Sequence, residues 1–160
     1  MPVMFLTSCI AQHPAIYFLN RTLYTLMNPV MDPNHAFFTN DAWAKEAGIE
    51  LMEVSAGRAK VRMKIAKRHL NSHGTVHGGA IFTLADTAFA LASNSHGIPA
   101  AGINAHISYV TSATAGTLFA EAVEFSLRPK IATYTVTVID DNGEKIAFFE
   151  GMVYRKIPRR

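Results

Sequence analysis

From Ala59 to Ile65 the chain reads A-K-V-R-M-K-I, with apolar and charged positions in strict alternation. A period of two predicts a strand with Val61, Met63 and Ile65 turned inward and Lys60, Arg62 and Lys64 left in water. The run I-E-L-M-E-V from Ile49 predicts a partner strand, with Gly57 turning the chain between the two. Just upstream, Asn40 or Asp41 is placed to cap a short helix through A-W-A-K-E-A, stopped by Gly48. Trp43 and the alanines form its expected packing side.

Between Gly79 and Ser93 the period changes. Ile81, Leu84, Ala88, Leu91 and Ala92 fall at three- and four-residue steps, and alanines fill most of the gaps. This predicts a helix with little polar face, buried on several sides, and composed of good helix formers. The segment H-G-I-P, His96 to Pro99, ends it. Every later segment reads as strand: I-N-A-H-I-S-Y-V from Ile103, T-L-F-A-E-A-V-E-F from Thr117, I-A-T-Y-T-V-T-V-I from Ile131 and K-I-A-F-F-E-G-M-V-Y-R from Lys145. The D-D-N-G segment at Asp140–Gly143 supplies a tight turn. The expected class is α+β. One central helix is wrapped by an antiparallel meander of five or six strands, since the turns are too short for crossovers.

Composition changes this picture only modestly. The 160 residues are 49% hydrophobic and 17% charged, which fits one globular domain and points to surface covered by other subunits. The net charge is +3 and the pI about 9.1. Basic residues are scattered through Lys60–Arg68, Arg128–Lys130 and Arg155–Arg160 without a long tract. That balance suits a phosphate-bearing small molecule. No nucleic-acid partner is expected, because no zinc-finger spacing, RNP-like strand or basic helix accompanies the charge. Cys9 is the single cysteine, so no internal disulfide forms, and a reducing, cytoplasmic setting is expected.

Residues 1–30 differ from the rest. They are apolar but broken by Pro2, Pro14 and Pro29, and they lack a basic region ahead of the apolar residues. Neither a secretory signal nor a membrane span is expected there. The segment reads as a poorly ordered extension or a short docking segment ahead of a domain over residues 31–160, and Met31 is an alternative start.

Polar groups crowd the entrance to the helix. Asn71, the pair Gly78–Gly79 and Asp86 require a joint explanation. At a helix N-terminus unpaired N–H groups point outward at the positive end of the dipole. Glycine lets a ligand carbonyl come close to them, which is how an oxyanion site is made. A carboxylate inside L-A-D-T-A-F-A is costly if unpaired and marks a group whose ionisation is used. It could instead bond to Thr83 or Thr87. Asn71 could orient a water or donate to a carbonyl, or it could simply form a turn. His69, His73 and His77 lie four apart, but the intervening glycines argue for irregular backbone, and no H-E-x-x-H arrangement is present. No metal is expected. His77 reads as a hydrogen-bonding residue that locks the glycine turn. The G-x-S-x-G and G-x-G-x-x-G motifs are both absent.

Asn71, five residues, His77-Gly78-Gly79, six residues and Asp86, in the run H-G-G-A-I-F-T-L-A-D-T-A-F-A-L-A-S-N-S-H-G, resemble the hotdog-fold acyl-CoA thioesterases of the PaaI group from aerobic phenylacetate degradation. The likeness extends from about Asn34 to Arg155. It implies a sheet wrapped around a central helix, dimers joined edge to edge, pairing into tetramers, and active sites between subunits. It further implies that Asn71 and the Gly79 N–H come from one subunit and Asp86 from the other, with Asp86 acting as general base or nucleophile. His77 and Gly78 would line the substrate site, and Arg128 and Lys130 would meet the CoA phosphates. Pro129 stands where relatives often have Gly, and Gly102 where some carry an assisting Ser or Thr. The expected substrate is an aromatic acyl-CoA such as phenylacetyl-CoA or a hydroxylated form. A medium-chain or naphthoyl substrate, or a non-catalytic CoA-ligand-binding role, is the alternative. No cofactor is implied, because coenzyme A arrives with the substrate.

Overall fold

The computed structural model describes residues 36–156. The extension expected over residues 1–30 lies outside the described residues, as does the basic end after Lys156. Two short helices, α1 (Ala36–Thr39) and α2 (Ala42–Glu46), lead into β1 (Ile49–Ser55) and β2 (Arg58–Lys64). A 3-10 turn (Lys67–His69) and a loop precede the long α3 (Gly78–Asn94). The chain then forms β3 (Ala100–Tyr109), β4 (Thr117–Leu127), β5 (Ile131–Ile139) and β6 (Lys145–Arg155). Asp41 caps α2, its carboxylate accepting from the Ala44 N–H at 2.9 Å. Trp43 does not pack as expected, for it is 68% exposed while Ala44 is fully buried. A helix of little more than one turn lays down a single face, and Ala44 occupies it.

The six strands form one antiparallel sheet in the order β1-β2-β4-β5-β6-β3. The pairing of β4, β5 and β6 follows the expected meander. β3 departs from it, pairing with β6 instead of β4. The physical reason is the long helix between β2 and β3. It carries the chain along the inside of the sheet and out at the far flank, where β3 becomes an edge. Residues 110–116 then return beneath the helix N-terminus, held as Val76 N–H donates to Ala113 O at 2.8 Å and Ile65 N–H to Gly116 O at 2.9 Å.

Alternation decides which side chains meet α3. Along β5, Ala132, Tyr134, Val136 and Val138 are buried, while the threonines between them face outward. Val61 and Met63 of β2 are buried as their period implied, and Ile65 lies just past the strand's end. Ile81, Leu84, Ala85, Ala88, Leu91 and Ala92 bring α3 onto this face. Two glycines let the wrap close. A Cβ on Gly151 would sit 2.7 Å from the Phe89 ring and 2.9 Å from Phe149. Gly57, with φ of 71°, turns the β1–β2 hairpin against β4, where a Cβ would meet Glu124 at 2.9 Å. The exposed Arg62–Glu50 pair at 2.6 Å adds little to stability, because water screens such pairs. Among the described residues no helix is long and apolar enough to cross a membrane.

Leu84 sits at the centre of the wrapped face and is fully buried. Leu84→Ala should cost about 2–5 kcal/mol, the lost transfer energy plus the cavity left behind. Urea unfolding would measure it. A loss under ~1 kcal/mol would mean that the sheet collapses onto the helix far more readily than its packing implies.

Candidate active site

The approach to α3 is built from polar residues that tie down their own loop. His69 is buried; its Nδ1 accepts from the Ala66 N–H at 3.0 Å and its Nε2 donates to Ala47 O at 2.9 Å. Its carbonyl accepts from the His77 N–H at 2.7 Å. Burial and the neighbouring Arg68 charge push the His69 pKa below its ordinary value. Asn71 shapes the following turn. Its Oδ1 accepts from the His73 and Thr75 N–H groups at 2.9 and 3.2 Å, and its Nδ2 donates to Thr75 Oγ1 at 2.9 Å. The side chain thus takes the turn-forming part among the roles open to it. It leaves one amide hydrogen for other partners.

His77 is the N-cap of α3, with Nδ1 accepting from the Gly79 N–H at 2.8 Å. This alters the expected oxyanion donor. Gly79 N–H is occupied, and the Ala80 and Ile81 N–H groups both donate to His77 O. Gly78 N–H is the donor at this end without an acceptor among the described residues. Tyr109, at the end of β3, lies against Gly78 and donates its hydroxyl to Gly78 O at 2.9 Å. The His69 and His77 rings therefore do separate jobs, and among the described residues no group of three or more potential ligands gathers around a metal position.

Asp86 occupies the opposite circumstance from the one its sequence neighbours suggested. It is exposed rather than embedded, and its carboxylate has no hydrogen-bond partner among the described residues. Thr83 Oγ1 donates instead to Gly79 O at 2.9 Å, and Thr87 Oγ1 to Thr83 O at 2.8 Å. The reason lies in the sheet order. The strands cover one side of α3, while the side toward the free edge of β3 stays open. There Asp86 borders a cavity of about 430 Å³, together with Phe37, Ser93, Asn94, Gly102 and Asn104. The cavity walls strip enough water from the carboxyl to raise its pKa above the usual carboxylate value, and the Asp41 charge adds to the rise. Desolvation by the walls thus outweighs the opening on one side.

A second cavity of about 430 Å³ lies at the N-terminal end, bordered by Trp43, Ala47, Arg68, His77, Gly79 and Thr83. Trp43 Nε1 reaches Thr83 Oγ1 at 3.3 Å. Gly78 and Asp86 are eight residues apart on one helix, which at 1.5 Å per residue separates them by about 12 Å. A single chain does not bring both to one reacting atom. Arg128 and Lys130 are exposed on the β4–β5 turn, which is closed by Arg128 N–H donating to Ile131 O at 2.9 Å. The sequence did not single out Tyr109 or Asn104, and gave Trp43 only a packing part. Tyr109 and Asn104 looked like ordinary members of an alternating strand, and nothing local distinguishes them.

The thioesterase superfamily model matches residues 73–147, spanning the glycine turn, α3, β3, β4, β5 and the start of β6. The acyl-coenzyme A thioesterase PaaI of Escherichia coli is 36% identical over 122 residues, which is 76% of this chain and 87% of that protein. The chain belongs to the PaaI family of hotdog thioesterases. As such it is a thioester hydrolase, and the six-stranded wrap is the hotdog fold. The E. coli PaaI structure superposes with a TM-score of 0.74 at 35% identity, covering 77% of this chain and 90% of that one. A PaaI mutant structure from Thermus thermophilus gives 0.69 at 39% identity, covering 72% and 99%. A Streptococcus mutans protein bound to acetyl CoA gives 0.66 at 25% identity, covering 70% and 91%.

The His69 clamp gives this thioesterase a pH-dependent stability. With its folded pKa lowered, the folded state binds fewer protons than the unfolded chain around the histidine's ordinary value. Stability should therefore be full above about pH 6.5 and fall as pH drops through the folded pKa. Thermal melts between pH 8 and 5 would show the decline, and His69→Gln should flatten it while lowering the plateau. An equal slope in the variant would assign the decline to other groups.

Proposed function

We propose that this hotdog thioesterase hydrolyses acyl-CoA thioesters, with an arylacetyl group as the preferred acyl moiety, in sites completed between two copies of the chain. The carrying observation is the separation of Gly78 from Asp86 along one rigid helix. The open N–H and the unpartnered carboxylate meet one thioester only if each comes from a different copy. The free edge of β3 supports that pairing, because an unpaired strand edge invites another strand. Ile103, Tyr109 and Val110 are exposed along or just beyond it. Two such sheets joined edge to edge make the dimer, and pairing of dimers makes the tetramer.

In this reading the Gly78 N–H, at the positive end of α3, polarises the thioester carbonyl and holds the developing oxyanion. Asn71 and His77 keep that end rigid, with Gly79 N–H tied to His77. Asp86 of the other copy takes a proton from water as the water oxygen bonds to the carbonyl carbon. The carbon–sulfur bond then breaks, and the thiolate regains a proton to leave as CoA, with the acyl group released as free acid. Direct attack by the Asp86 carboxylate, followed by hydrolysis of the mixed anhydride, uses the same placement. Arg128 and Lys130 meet the CoA phosphates. The aryl preference is supported by the phenylacetate-degradation names of the related proteins. A medium-chain acyl group is the second reading, since two cavities of this size accept either.

A panel of phenylacetyl-, hydroxyphenylacetyl-, octanoyl- and naphthoyl-CoA with a thiol reagent tests the reading. The arylacetyl substrates should show the highest kcat/KM. No CoA release from any of them by folded protein would overturn it. Asp86→Asn should reduce turnover by roughly a hundredfold or more, the scale for loss of a general base, with CoA affinity retained. The raised Asp86 pKa fixes the sign of the pH profile. Activity should be lost as pH falls through a value above the ordinary carboxylate range, and Asp86→Asn should lack that limb.

Co-expressed Asn71→Ala and Asp86→Ala subunits test the sharing of sites. Each variant alone should be nearly inactive, and mixed dimers should regain activity at the one site with both residues intact. Verified mixed dimers as inactive as their parents would place both residues in one chain's site.

A further inference from the structure

Among the described residues, Arg155 is a cation buried without a paired carboxylate. Arg155, the last residue of β6, is 6% exposed. The ion pairs among the described residues, Arg62–Glu50 and His96–Glu124, do not include it. Its Nε has no hydrogen-bond partner among the described residues. A buried charge without a paired carboxylate costs several kcal/mol, and the arrangement around Arg155 shows what the charge is set against. Its Nη1 donates to Arg128 O at 3.0 Å, and its backbone N–H donates to Lys130 O at 2.8 Å. Both outer carbonyls of the Arg128-Pro129-Lys130 turn are thus held by one residue. Pro129 has no N–H to offer, so the turn is held by the Arg128 N–H bond to Ile131 O that closes it and by these two contacts to its carbonyls.

On its other side Arg155 pairs with Ala100 of β3, and Ala100 borders the cavity that contains Asp86. The next residue, Lys156, is exposed and anchored through its N–H to Pro99 O at 2.7 Å. Arg128, Lys130, Arg155 and Lys156 therefore collect at one corner of the sheet, and none pairs with a carboxylate among the described residues. Three of these side chains are exposed and one guanidinium is buried beside them.

We propose that Arg155 is a positioning residue for the anion subsite: it fixes the Arg128–Lys130 turn so that both side chains meet the phosphates at the nucleotide end of CoA, and its buried charge strengthens the field there. This rests on the acyl-CoA reading above. The exposed cations supply contact, and Arg155 supplies the geometry and a charge that solvent screens little.

The test uses the full chain with Arg155→Met and Arg155→Lys, phenylacetyl-CoA, phenylacetyl-pantetheine (which lacks the nucleotide) and adenosine 3′,5′-bisphosphate as a calorimetric probe. Arg155→Met should raise KM for the CoA substrate about tenfold with kcat little changed, the pattern of lost uniform binding. Its kinetics on the pantetheine thioester should match wild type, and its affinity for the bisphosphate should fall by a similar factor. Lys130→Ala should weaken bisphosphate binding less in the Arg155→Met background than in wild type, because the two share one subsite. Equal KM changes for both thioesters, or unchanged bisphosphate affinity, would overturn the proposal and leave Arg155 a structural residue. If Arg155→Met does not fold, Arg155→Lys decides on the same comparisons, since it keeps the charge but loses the Arg128 contact. Failure of the acyl-CoA reading itself would appear as no thiol release by wild type, and bisphosphate binding would still decide the subsite.

Discussion

The structure depends on covering one apolar helix from one side with a single sheet. α3 has 17 residues, and its core-facing positions are mostly alanine and leucine. Ala85, Ala88 and Ala92 are fully buried, so strands approach the helix backbone closely and the sheet curls tightly around it. Phe89 supplies the bulk that the alanines lack, packing edge-on to Tyr134 at 5.8 Å and tilted against Phe149 at 5.5 Å. A sheet curled this way cannot also cover the remaining face. That face carries Gly79, Thr83, Asp86 and Ala90 at successive turns, and it is where both cavities open.

Polar residues fix the two ends of this helix. At the N-terminus His69, Asn71 and His77 engage loop and cap groups. At the C-terminus Ser95 Oγ accepts from the Gly57 N–H at 2.8 Å, which docks the β1–β2 turn. Beside it, Glu124 Oε2 takes the Tyr134 hydroxyl at 3.0 Å and His96 Nε2 at 2.6 Å. Burial and the Glu124 carboxylate hold the Tyr134 phenol well above its usual pKa, so it remains a donor throughout the physiological range. Satisfied networks of this kind rigidify a core. The open donor at Gly78 and the carboxylate at Asp86 are consequently held at fixed places on a fixed rod.

Much of this was legible in the sequence because periodicity reports burial directly. The alternation of Ala59–Ile65 and Ile131–Ile139, the four-residue steps of α3, and the D-D-N-G turn each name their own element. Asp140 Oδ1 does close that turn, accepting from the Asn142 and Glu144 N–H groups at 2.8 and 2.9 Å. What was not legible depends on long-range order. Nothing in I-N-A-H-I-S-Y-V indicates that its strand lies at a sheet edge, because an edge strand and an inner strand alternate alike. The exposure of Asp86 follows from that edge, so it was misjudged with it. His77 locks the glycine turn as the sequence implied, but that its ring takes the Gly79 N–H was not legible, for a local reason. Two adjacent glycines read as equally open, and only the ring's position distinguishes them.

These separate facts converge on the helix as a spacer. A catalytic oxyanion donor and a base must lie within about 3 Å of neighbouring reacting atoms, and roughly 12 Å of helix divides Gly78 from Asp86. No side-chain rotation closes that distance, and the capped ends prevent the helix from shortening. The uncovered face and the unpaired β3 edge lie on the same side of the molecule. A second copy related by a two-fold axis perpendicular to that edge would cover both at once and set the two helices antiparallel. The Gly78 end of one would then face the middle of the other. Under that arrangement the exposed carboxylate, the open N–H and the bare strand edge would be one feature: each would find its complement on an identical chain.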